Sequence, residues 1–313
     1  MDVKEPDSSL LSKPLLRYWL ATRPAFLLAS LIPACVGVAA AYAQHYTIHW
    51  DLFVLTLLAL ALTHAGINVL NDYYDNLNNT DNLNTERLFP FTGGSRFIQN
   101  GIFTPDNLFK FGISLLLAAG AIGLLLSSLS SWRLLIVGIL GLLVGWGYSA
   151  PPLRLNSRGL GEVAVAIGFG VLTPLGAWLV QTQHFSWYPI VISLPLALLV
   201  MNVLYINQFP DYTADKQAGK HHWVVRLGLN KAPLVYQTSI GLALTLLLLL
   251  IFNQTLSAWS LLSVLPLGFG IAAERQLVRY AFTPAQLRPA IQFTLNALLL
   301  HGALLTFSLF IRD

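Results

Sequence analysis

Long apolar stretches separated by short polar segments set the pattern of this chain. Nine of them approach the length of about 20 residues that a helix needs to cross a bilayer. They lie near residues 24–44, 51–71, 108–128, 132–150, 160–181, 187–208, 232–252, 257–273 and 290–311. The eighth is the shortest. The pattern predicts an all-α integral membrane protein with nine transmembrane helices, organised as one polytopic domain over residues 1–313.

Positive charges test the predicted topology independently. A cytoplasmic N-terminal arm over 1–23, Lys110 and the four loops that would be cytoplasmic contain every Lys and Arg except Arg133 and Arg312. Those loops are 72–107, 151–159, 209–231 and 274–289. Basic residues concentrate on the cytoplasmic side of membrane proteins. We therefore expect a cytoplasmic N-terminus and a multi-pass protein of the cell (inner) membrane.

Composition agrees with lipid exposure and excludes several other classes. Hydrophobic residues make up 55% of the chain and charged residues 10%, against about 25% charged residues in soluble domains. The net charge of +4 comes without a dense basic run, which argues against nucleic-acid binding. Cys35 is the only cysteine, so no disulfide forms within the chain. The acids of the N-terminal arm argue against a cleaved signal peptide.

The first acidic cluster follows the second predicted span and contains Asn71, Asp72, Asp75 and Asp81. Spacings of three and four residues place the first three on one face if the helix continues past residue 71. The loop that holds this cluster is one of the two long loops predicted on the cytoplasmic side.

The second acidic cluster follows the sixth predicted span and contains Asn207, Asp211 and Asp215. Both clusters share an Asn-x-x-x-Asp core. Pro210 lies inside the second one, and proline disfavours a continuous helix there, so we expect a kink. The two clusters should meet at the cytoplasmic face.

Carboxylates grouped in this way repel one another unless a cation lies between them. Mg²⁺ prefers oxygen ligands and binds through one or two carboxylates plus substrate phosphate. Two facing clusters therefore suit two Mg²⁺ ions around one diphosphate, whose departing charge the ions would neutralise. Helix capping or solvation of span ends is the simpler explanation for either cluster alone.

Basic side chains near the clusters are candidates for phosphate binding. Arg154 and Arg158 follow the fourth span after Pro151 and Pro152, Arg96 follows Gly93-Gly94-Ser95, and Lys220 follows Gly219. A guanidinium suits phosphate oxygens, although each charge also serves as an ordinary membrane-surface anchor.

Glu162, Tyr148 and the histidines complete the set of candidates. Glu162 enters the fifth span, where it is expected to orient an arginine or a tyrosine hydroxyl. His64, His221 and His222 lack companions at a zinc-binding spacing, so we expect no zinc site.

These segments together resemble the UbiA superfamily of membrane prenyltransferases. The resemblance is carried by the two clusters, by Gly219-Lys220, by Val225-Arg226-Leu227-Gly228 and by the segment from Tyr148 to Glu162. It implies a nine-helix bundle around a central cavity that opens sideways to lipid. It also implies transfer of a polyprenyl group from its diphosphate, through an allylic cation, to an aromatic acceptor.

The resemblance and the residues together give the following predicted roles. Metal ligation is predicted for Asp72, Asp75, Asp81, Asp211 and Asp215. Catalysis is predicted for Asp75, Asp211, Tyr148 and Arg154. Substrate binding is predicted for Asn71, Arg96, Arg158, Asn207 and Lys220. The cofactor is Mg²⁺, and the partners are a polyprenyl diphosphate, an aromatic small molecule and the lipid bilayer.

Within the superfamily, the chain most resembles the branch that prenylates 1,4-dihydroxy-2-naphthoate on the route to menaquinone. Asn79, where that branch often has glycine, and His221-His222-Trp223 depart from its pattern. Another acceptor such as 4-hydroxybenzoate is therefore an alternative. An ion-coupled secondary transporter is an alternative of a different class, although such proteins usually place their acids near the middle of the membrane.

Overall fold

The computed structural model describes residues 4–311, and within that range the chain forms helices and no strands. The α-helices are α1 Pro14–Ala21, α2 Leu28–Ala43, α3 Trp50–Leu77, α4 Thr80–Leu83, α5 Pro105–Leu129, α6 Arg133–Ser149, α7 Gly161–Ile167, α8 Thr173–Thr182, α9 Tyr188–Asn207, α10 Tyr212–Gln217, α11 Trp223–Phe252, α12 Leu267–Tyr280 and α13 Arg288–Phe310. A π-helical turn, Gly168–Leu172, joins α7 to α8, and the 3₁₀ segment Ala258–Val264 precedes α12.

Eight segments of the described chain are long and apolar enough to cross a membrane. They are Pro24–Ala43, Trp50–Leu77, Pro105–Leu129, Gly161–Thr182, Tyr188–Asn207, Trp223–Phe252, Ala258–Tyr280 and Arg288–Phe310. The remaining predicted span is α6, which is apolar but only 17 residues long. At 1.5 Å per residue this is about 26 Å, somewhat less than the hydrocarbon layer. The fold class is thus confirmed, while the count of nine spans stays a prediction.

The ends of three spans differ from the sequence-based expectation. α3 continues as a helix to Leu77, six residues past the predicted end. α11 begins at Trp223 and absorbs a break at Gly228, whose φ of 72° is accessible to glycine. The eighth span reaches Tyr280, because a 3₁₀ segment and α12 together form it.

The four loops predicted on one side of the membrane contact one another. Asn84 reaches Asp211, the His221 backbone N–H donates to the Ser157 carbonyl, and Arg288 donates to the Phe89 carbonyl. At the opposite end the His49 N–H donates to Gln181. Alternate loops therefore gather at one end of the bundle; that this end is cytoplasmic stays a prediction.

The N-terminal arm packs onto this same end. Glu5 pairs with Arg87 at 2.7 Å, and Leu10 and Ala21 are buried against Phe97. Residues 1–3 of the arm, and the outward placement predicted for Arg312, lie outside the described residues.

The helices differ in how deeply their side chains are buried in the bundle. The main core lies where α9, α11, α13 and α2 meet, and its largest fully buried side chains include Tyr205 and Tyr236. The Tyr205 hydroxyl donates to the Ala232 carbonyl at 2.8 Å, and the Tyr236 hydroxyl lies 2.7 Å from that of Thr294. Buried hydroxyls need such partners in a medium without water. By contrast, many large side chains of α5 and α6 are exposed, as lipid-facing helices require.

We predict that Gly37→Ala destabilises the bundle. A Cβ at Gly37 on α2 would lie 2.3 Å from the backbone oxygen of Pro174 on α8, which cannot move aside as a side chain can. Overpacking of this kind costs about 1–3 kcal/mol, so the unfolding temperature in detergent should fall by several degrees. Gly241→Ala on α11 is the control, because a Cβ there meets nothing within 4 Å. Equal unfolding temperatures for both variants would contradict this packing.

Candidate active site

The first cluster occupies the last two turns of α3 and the segment after it. Asn71, Asp72 and Asp75 share the helix end, as the spacing predicts when the helix continues. The chain then reverses at Asn79, which has φ of 66° in the left-handed region, and enters α4 with Asp81. Asn71 donates to Asp75 at 3.1 Å and to the Ser149 hydroxyl at 2.8 Å. These contacts tie the cluster to the end of α6.

The second cluster surrounds the break that Pro210 predicts. α9 ends at Asn207, a turn carries Pro210, and α10 begins directly after Asp211. Asp215 lies in α10, and its backbone N–H donates to the Asp211 carbonyl at 2.8 Å. The break turns the chain so that both aspartates line the cavity described below.

Lys220 and Asn84 join the two clusters. The Lys220 ammonium lies 3.1 Å from Asp75 Oδ1 and 3.1 Å from Asp215 Oδ1. Asn84 donates to Asp211 Oδ1 at 2.5 Å. The side chains of Lys220 and Asp215 are both more than nine-tenths buried. One cation therefore holds carboxylates from both clusters in a largely desolvated site, where charge interactions are strong.

A cavity of about 1000 Å³ extends from the clusters into the bundle. Its polar end is lined by Asn71, Asp75, Asp81, Asn84, Asn207, Asp211, Asp215 and Lys220. Its apolar part runs between α3, α5 and α6 past small residues such as Gly120 and Gly138. The cavity thus combines an acidic head with a long hydrocarbon-lined extension.

Burial and mutual repulsion shape the acidity of the cluster residues that lie outside the spans. Burial raises the pKa of Asp81 well above its usual range, and the charges of Asp75 and Asp72 raise it further. Burial also raises the pKa of Asp211 to about 7, with the charge of Asp215 adding to the effect. Such shifts mean that the carboxylates are short of positive charge, which a bound cation would supply.

The pKa values of Asp215 and Lys220 instead shift toward the charged form of each side chain, because each side chain lies against a partner. Burial alone would raise the pKa of Asp215, but the Lys220 and His222 contacts outweigh it and the pKa is lowered. Burial alone would lower the pKa of Lys220, but Asp215 and Asp75 outweigh it and the pKa is raised. This ion pair is therefore fully charged at neutral pH.

Several buried oxygens in and around the two clusters accept no hydrogen bond from residues 4–311, which fits a site for a cation that prefers oxygen ligands. They are Asp72 Oδ2, Asp81 Oδ2, Asn84 Oδ1, Asn207 Oδ1 and Gln208 Oε1. Buried acceptors without partners cost free energy unless a ligand satisfies them. Within residues 4–311 no three acidic, histidine or cysteine side chains converge to chelate a metal unaided. This donor set matches Mg²⁺, which keeps waters and relies on substrate phosphate.

The other predicted residues divide into two groups. Tyr148 lines the cavity, and Arg96 is buried with its guanidinium donating to the Asp81 carbonyl, behind the cluster. Arg154 and Arg158 are exposed and do not line the cavity, and Arg226 donates to the Arg158 carbonyl. The structure therefore does not bring Arg154 and Arg158 to the clusters, and their predicted roles stay predictions.

His222 contacts the second cluster, although the sequence singles it out only as a departure from the family pattern. Its Nδ1 accepts from the Val225 N–H at 3.4 Å and caps α11. Its Nε2 therefore carries the proton and donates to Asp215 Oδ2 at 3.0 Å. The seven-residue spacing from Asp215 is a weak signal, because a loop and not a regular helix connects the two.

Glu162 differs from expectation, since within residues 4–311 it forms a hydrogen bond or ion pair with neither an arginine nor a tyrosine hydroxyl. The side chain is fully buried, and Oε1 accepts from Gln208 Nε2 at 3.1 Å and from the Trp223 N–H at 2.9 Å. It thereby fixes the ends of the loop that carries the second cluster. Removing this acceptor would leave the buried Gln208 amide and the partly buried Trp223 N–H without this partner.

The fold and the site together define a class of protein. It is an all-helical multi-pass membrane protein with two acidic clusters at the polar end of an apolar cavity. The UbiA prenyltransferase family model matches residues 30–298, and the chain belongs to that family. It is accordingly a prenyltransferase, and not the transporter of the alternative hypothesis.

Named relatives and a solved structure agree with this assignment. The 2-carboxy-1,4-naphthoquinone phytyltransferase of Synechocystis is 31% identical over 72% of this chain and 70% of its own. The 1,4-dihydroxy-2-naphthoate octaprenyltransferase of Bacillus subtilis is 24% identical over 94% and 92%. A UbiA homologue from Archaeoglobus fulgidus, solved with DMAPP and Mg²⁺, shares the fold with a TM-score of 0.61 at 17% identity, over 92% of this chain and 99% of that one.

We predict that Gly94→Ala impairs prenyl transfer. Gly94 has φ of 72°, and a Cβ there would lie 2.4 Å from Asp81 Oδ2, so the carboxylate would have to move. A displacement of about 1 Å at a reacting site costs roughly 10²-fold in rate. Gly101→Ala is the matched control, because its φ of 69° imposes the same strain but its Cβ meets nothing within 4 Å. Similar initial rates for the two variants would show that the position of Asp81 is unimportant.

Proposed function

We propose that the protein transfers a polyprenyl group from its diphosphate to an acidic aromatic acceptor in a Mg²⁺-dependent reaction. The observation that carries this proposal is the meeting of the two acidic clusters at one end of a long apolar cavity, joined by Lys220. The diphosphate of the substrate would bind the cations held by the two clusters. The polyprenyl chain of the same substrate would occupy the apolar part of the cavity.

Each cluster contributes oxygen ligands from its own side of the site. Asp75 and Asp81, with Asp72 behind them, would hold Mg²⁺ on one side, and Asp211 and Asp215 on the other. When bound, Mg²⁺ neutralises the negative charge that grows on the departing diphosphate. Lys220 already lies between the clusters and is placed to exchange a carboxylate oxygen for a diphosphate oxygen. Asn71 and Asn207 line the site and provide neutral polar contacts.

Breaking the bond between C1 of the prenyl chain and its oxygen leaves an allylic cation in the cavity. The electron-rich ring of the acceptor attacks this cation, and the ring then loses a proton or carbon dioxide. Tyr148 lines the cavity near the clusters, where its ring can stabilise a cation and help to exclude water. A mostly apolar wall suits such an intermediate, because water would capture it.

The prenyl tail is proposed to lie between α5 and α6 and to continue into the bilayer. Leu117, Leu124 and Ile139 line the cavity and are also 70%, 63% and 57% exposed. Side chains with both properties border a lateral opening. Gly120, Gly123, Gly138 and Gly141 line the same stretch and leave room for a chain. Prenyl length is then limited by the bilayer and not by a closed end.

The acceptor we propose is 1,4-dihydroxy-2-naphthoate, which would place the reaction in menaquinone biosynthesis. The chain resembles the branch of the superfamily that prenylates 1,4-dihydroxy-2-naphthoate, and the names of the relatives also support this choice over 4-hydroxybenzoate. The distribution of basic residues supports a site on the cytoplasmic face of the cell membrane.

The experiment that tests the proposal is an assay of diphosphate release by purified protein in detergent. A prenyl diphosphate is supplied with Mg²⁺ or EDTA, and 1,4-dihydroxy-2-naphthoate and 4-hydroxybenzoate are offered separately. We expect Mg²⁺-dependent release with a prenylated product from the naphthoate. Product from 4-hydroxybenzoate alone would overturn the acceptor assignment, and undiminished turnover in EDTA would overturn the metal assignment.

We predict that Asp75→Ala and Asp211→Ala each abolish turnover while the protein stays folded. Each substitution removes one cluster's oxygen from the cavity, so the diphosphate loses a cation on that side. Asp106→Ala is the control, because Asp106 is an exposed acid at the start of α5 outside the cavity. Initial rates and unfolding temperatures are compared for all three; substantial activity in either cluster variant would refute a joint site.

A further inference from the structure

Polar side chains line the cavity well beyond the two clusters. His64, Asn68, Asn71 and Asp75 follow one another on α3 at intervals of four, three and four residues, and all four line the cavity. This spacing puts them on one face of the helix. At 1.5 Å per residue the polar face extends about 16 Å from Asp75 into the bundle. A prenyl tail is pure hydrocarbon, so these groups indicate a second, polar ligand.

Arg23 brings a positive charge to this part of the cavity. It lines the cavity just before α2, and its Nη2 donates to the Phe91 carbonyl at 3.1 Å. Its Nε is buried and has no hydrogen-bond partner among the described residues. In the part of the chain that the structure describes, no carboxylate lies within 4.0 Å of its guanidinium. A buried donor without a partner is costly, and an anionic group would satisfy it.

The backbone holds Arg23 in an uncommon conformation. Its φ of 57° and ψ of 59° lie in the left-handed region, which few residues other than glycine adopt. The carbonyl of the preceding residue, Thr22, accepts from Asn68 Nδ2 at 3.1 Å. Asn68 therefore fixes the backbone from which the Arg23 side chain extends. Conformations of this kind tend to persist where a side chain must be aimed at a ligand.

Aromatic rings form the walls beside the arginine. Phe26, Phe91 and Phe169 all line the cavity. The Arg23 guanidinium carbon lies 5.0 Å from the centre of the Phe26 ring, and the His64 ring lies 5.0 Å from that of Phe169. Flat apolar walls beside a single cation suit a planar aromatic ring that carries an acidic substituent.

We propose that Arg23 binds the anionic substituent of the aromatic acceptor and sets the preference for acidic acceptors, with Asn68 as the residue that positions it. This inference rests on the proposed function, because it identifies the part of the cavity that takes the second substrate. The acceptor ring would then lie along the polar face of α3, with its reactive carbon toward Asp75 and the diphosphate.

A binding measurement without turnover tests the inference. Equilibrium dialysis in detergent, with no prenyl diphosphate present, compares 1-hydroxy-2-naphthoate with 1-naphthol, which lacks the carboxylate. Loss of a hydrogen bond to a charged group weakens binding about 10- to 100-fold, so Arg23→Gln should weaken binding of the naphthoate by that factor and leave 1-naphthol unchanged. Arg23→Lys keeps the charge but not the planar fork and should lose less.

Arg288→Gln is the matched control for Arg23→Gln. Arg288 also donates to a loop carbonyl, that of Phe89 at 3.0 Å, and lies 5.7 Å from the Phe91 ring, but it does not line the cavity. Its loss should leave the affinity for both naphthalenes unchanged. If Arg23→Gln fails to fold, Asn68→Leu replaces it and should also weaken binding of the naphthoate selectively.

Steady-state kinetics separate this role from a role in diphosphate binding. The charge of Arg23 also acts on Asp72 and Asp81, so Arg23→Gln should raise KM for 1,4-dihydroxy-2-naphthoate much more than KM for the prenyl diphosphate. Equal loss of affinity for both naphthalenes, or a raised KM for the diphosphate alone, would overturn the inference. Arg23-dependent binding of the naphthoate by a protein that shows no prenyl transfer would instead refute the proposed reaction and leave the binding site in place.

Discussion

The pairing of one buried lysine with carboxylates from two acidic clusters is the interaction on which the site depends. Asp75 arrives on α3 and Asp215 on α10, yet both lie 3.1 Å from the same Lys220 ammonium. Without that charge the buried acids would repel one another, and the raised pKa values of Asp81 and Asp211 show that the compensation is incomplete. The site is therefore organised around a shortage of positive charge, which metal ions and a polyanionic substrate together relieve.

Supporting contacts transmit this constraint to the rest of the bundle. Glu162 anchors both ends of the loop that carries the second cluster, and His222 connects Asp215 to the start of α11. Arg96 supports the backbone at Asp81 from behind. These residues lie outside the cavity's hydrocarbon-lined part, so the contacts that position the acidic clusters are separate from the apolar wall that α5 and α6 provide. The division matches the chemistry, which needs precise positioning at the diphosphate and only apolar surroundings along the tail.

The sequence predicted the fold class and the clusters because both depend on local patterns. Hydropathy found the spans to within a few residues except at the end of α3, the start of α11 and the end of α12, where the helices continue into polar sequence beyond the apolar run. Spacing placed Asn71, Asp72 and Asp75 together, and Pro210 predicted the break before Asp211. Contacts between distant segments escaped prediction: Asn84 lies 127 residues from its partner Asp211, and Arg23 reaches the cavity from the N-terminal arm. Arg154 and Arg158 are exposed and do not line the cavity, a placement that the local motif could not reveal, and their roles stay predictions.

Metal binding measured by electron paramagnetic resonance tests most directly whether the two clusters form one site. Mn²⁺ replaces Mg²⁺, and a prenyl thiolodiphosphate that cannot ionise replaces the substrate. We expect weak Mn²⁺ binding by the protein alone, tight binding when the analogue is present, and loss of this enhancement when either Asp75 or Asp211 is changed to Asn. Tight binding of the analogue in EDTA, or an enhancement that survives in both variants, would contradict a diphosphate site built jointly by the two clusters.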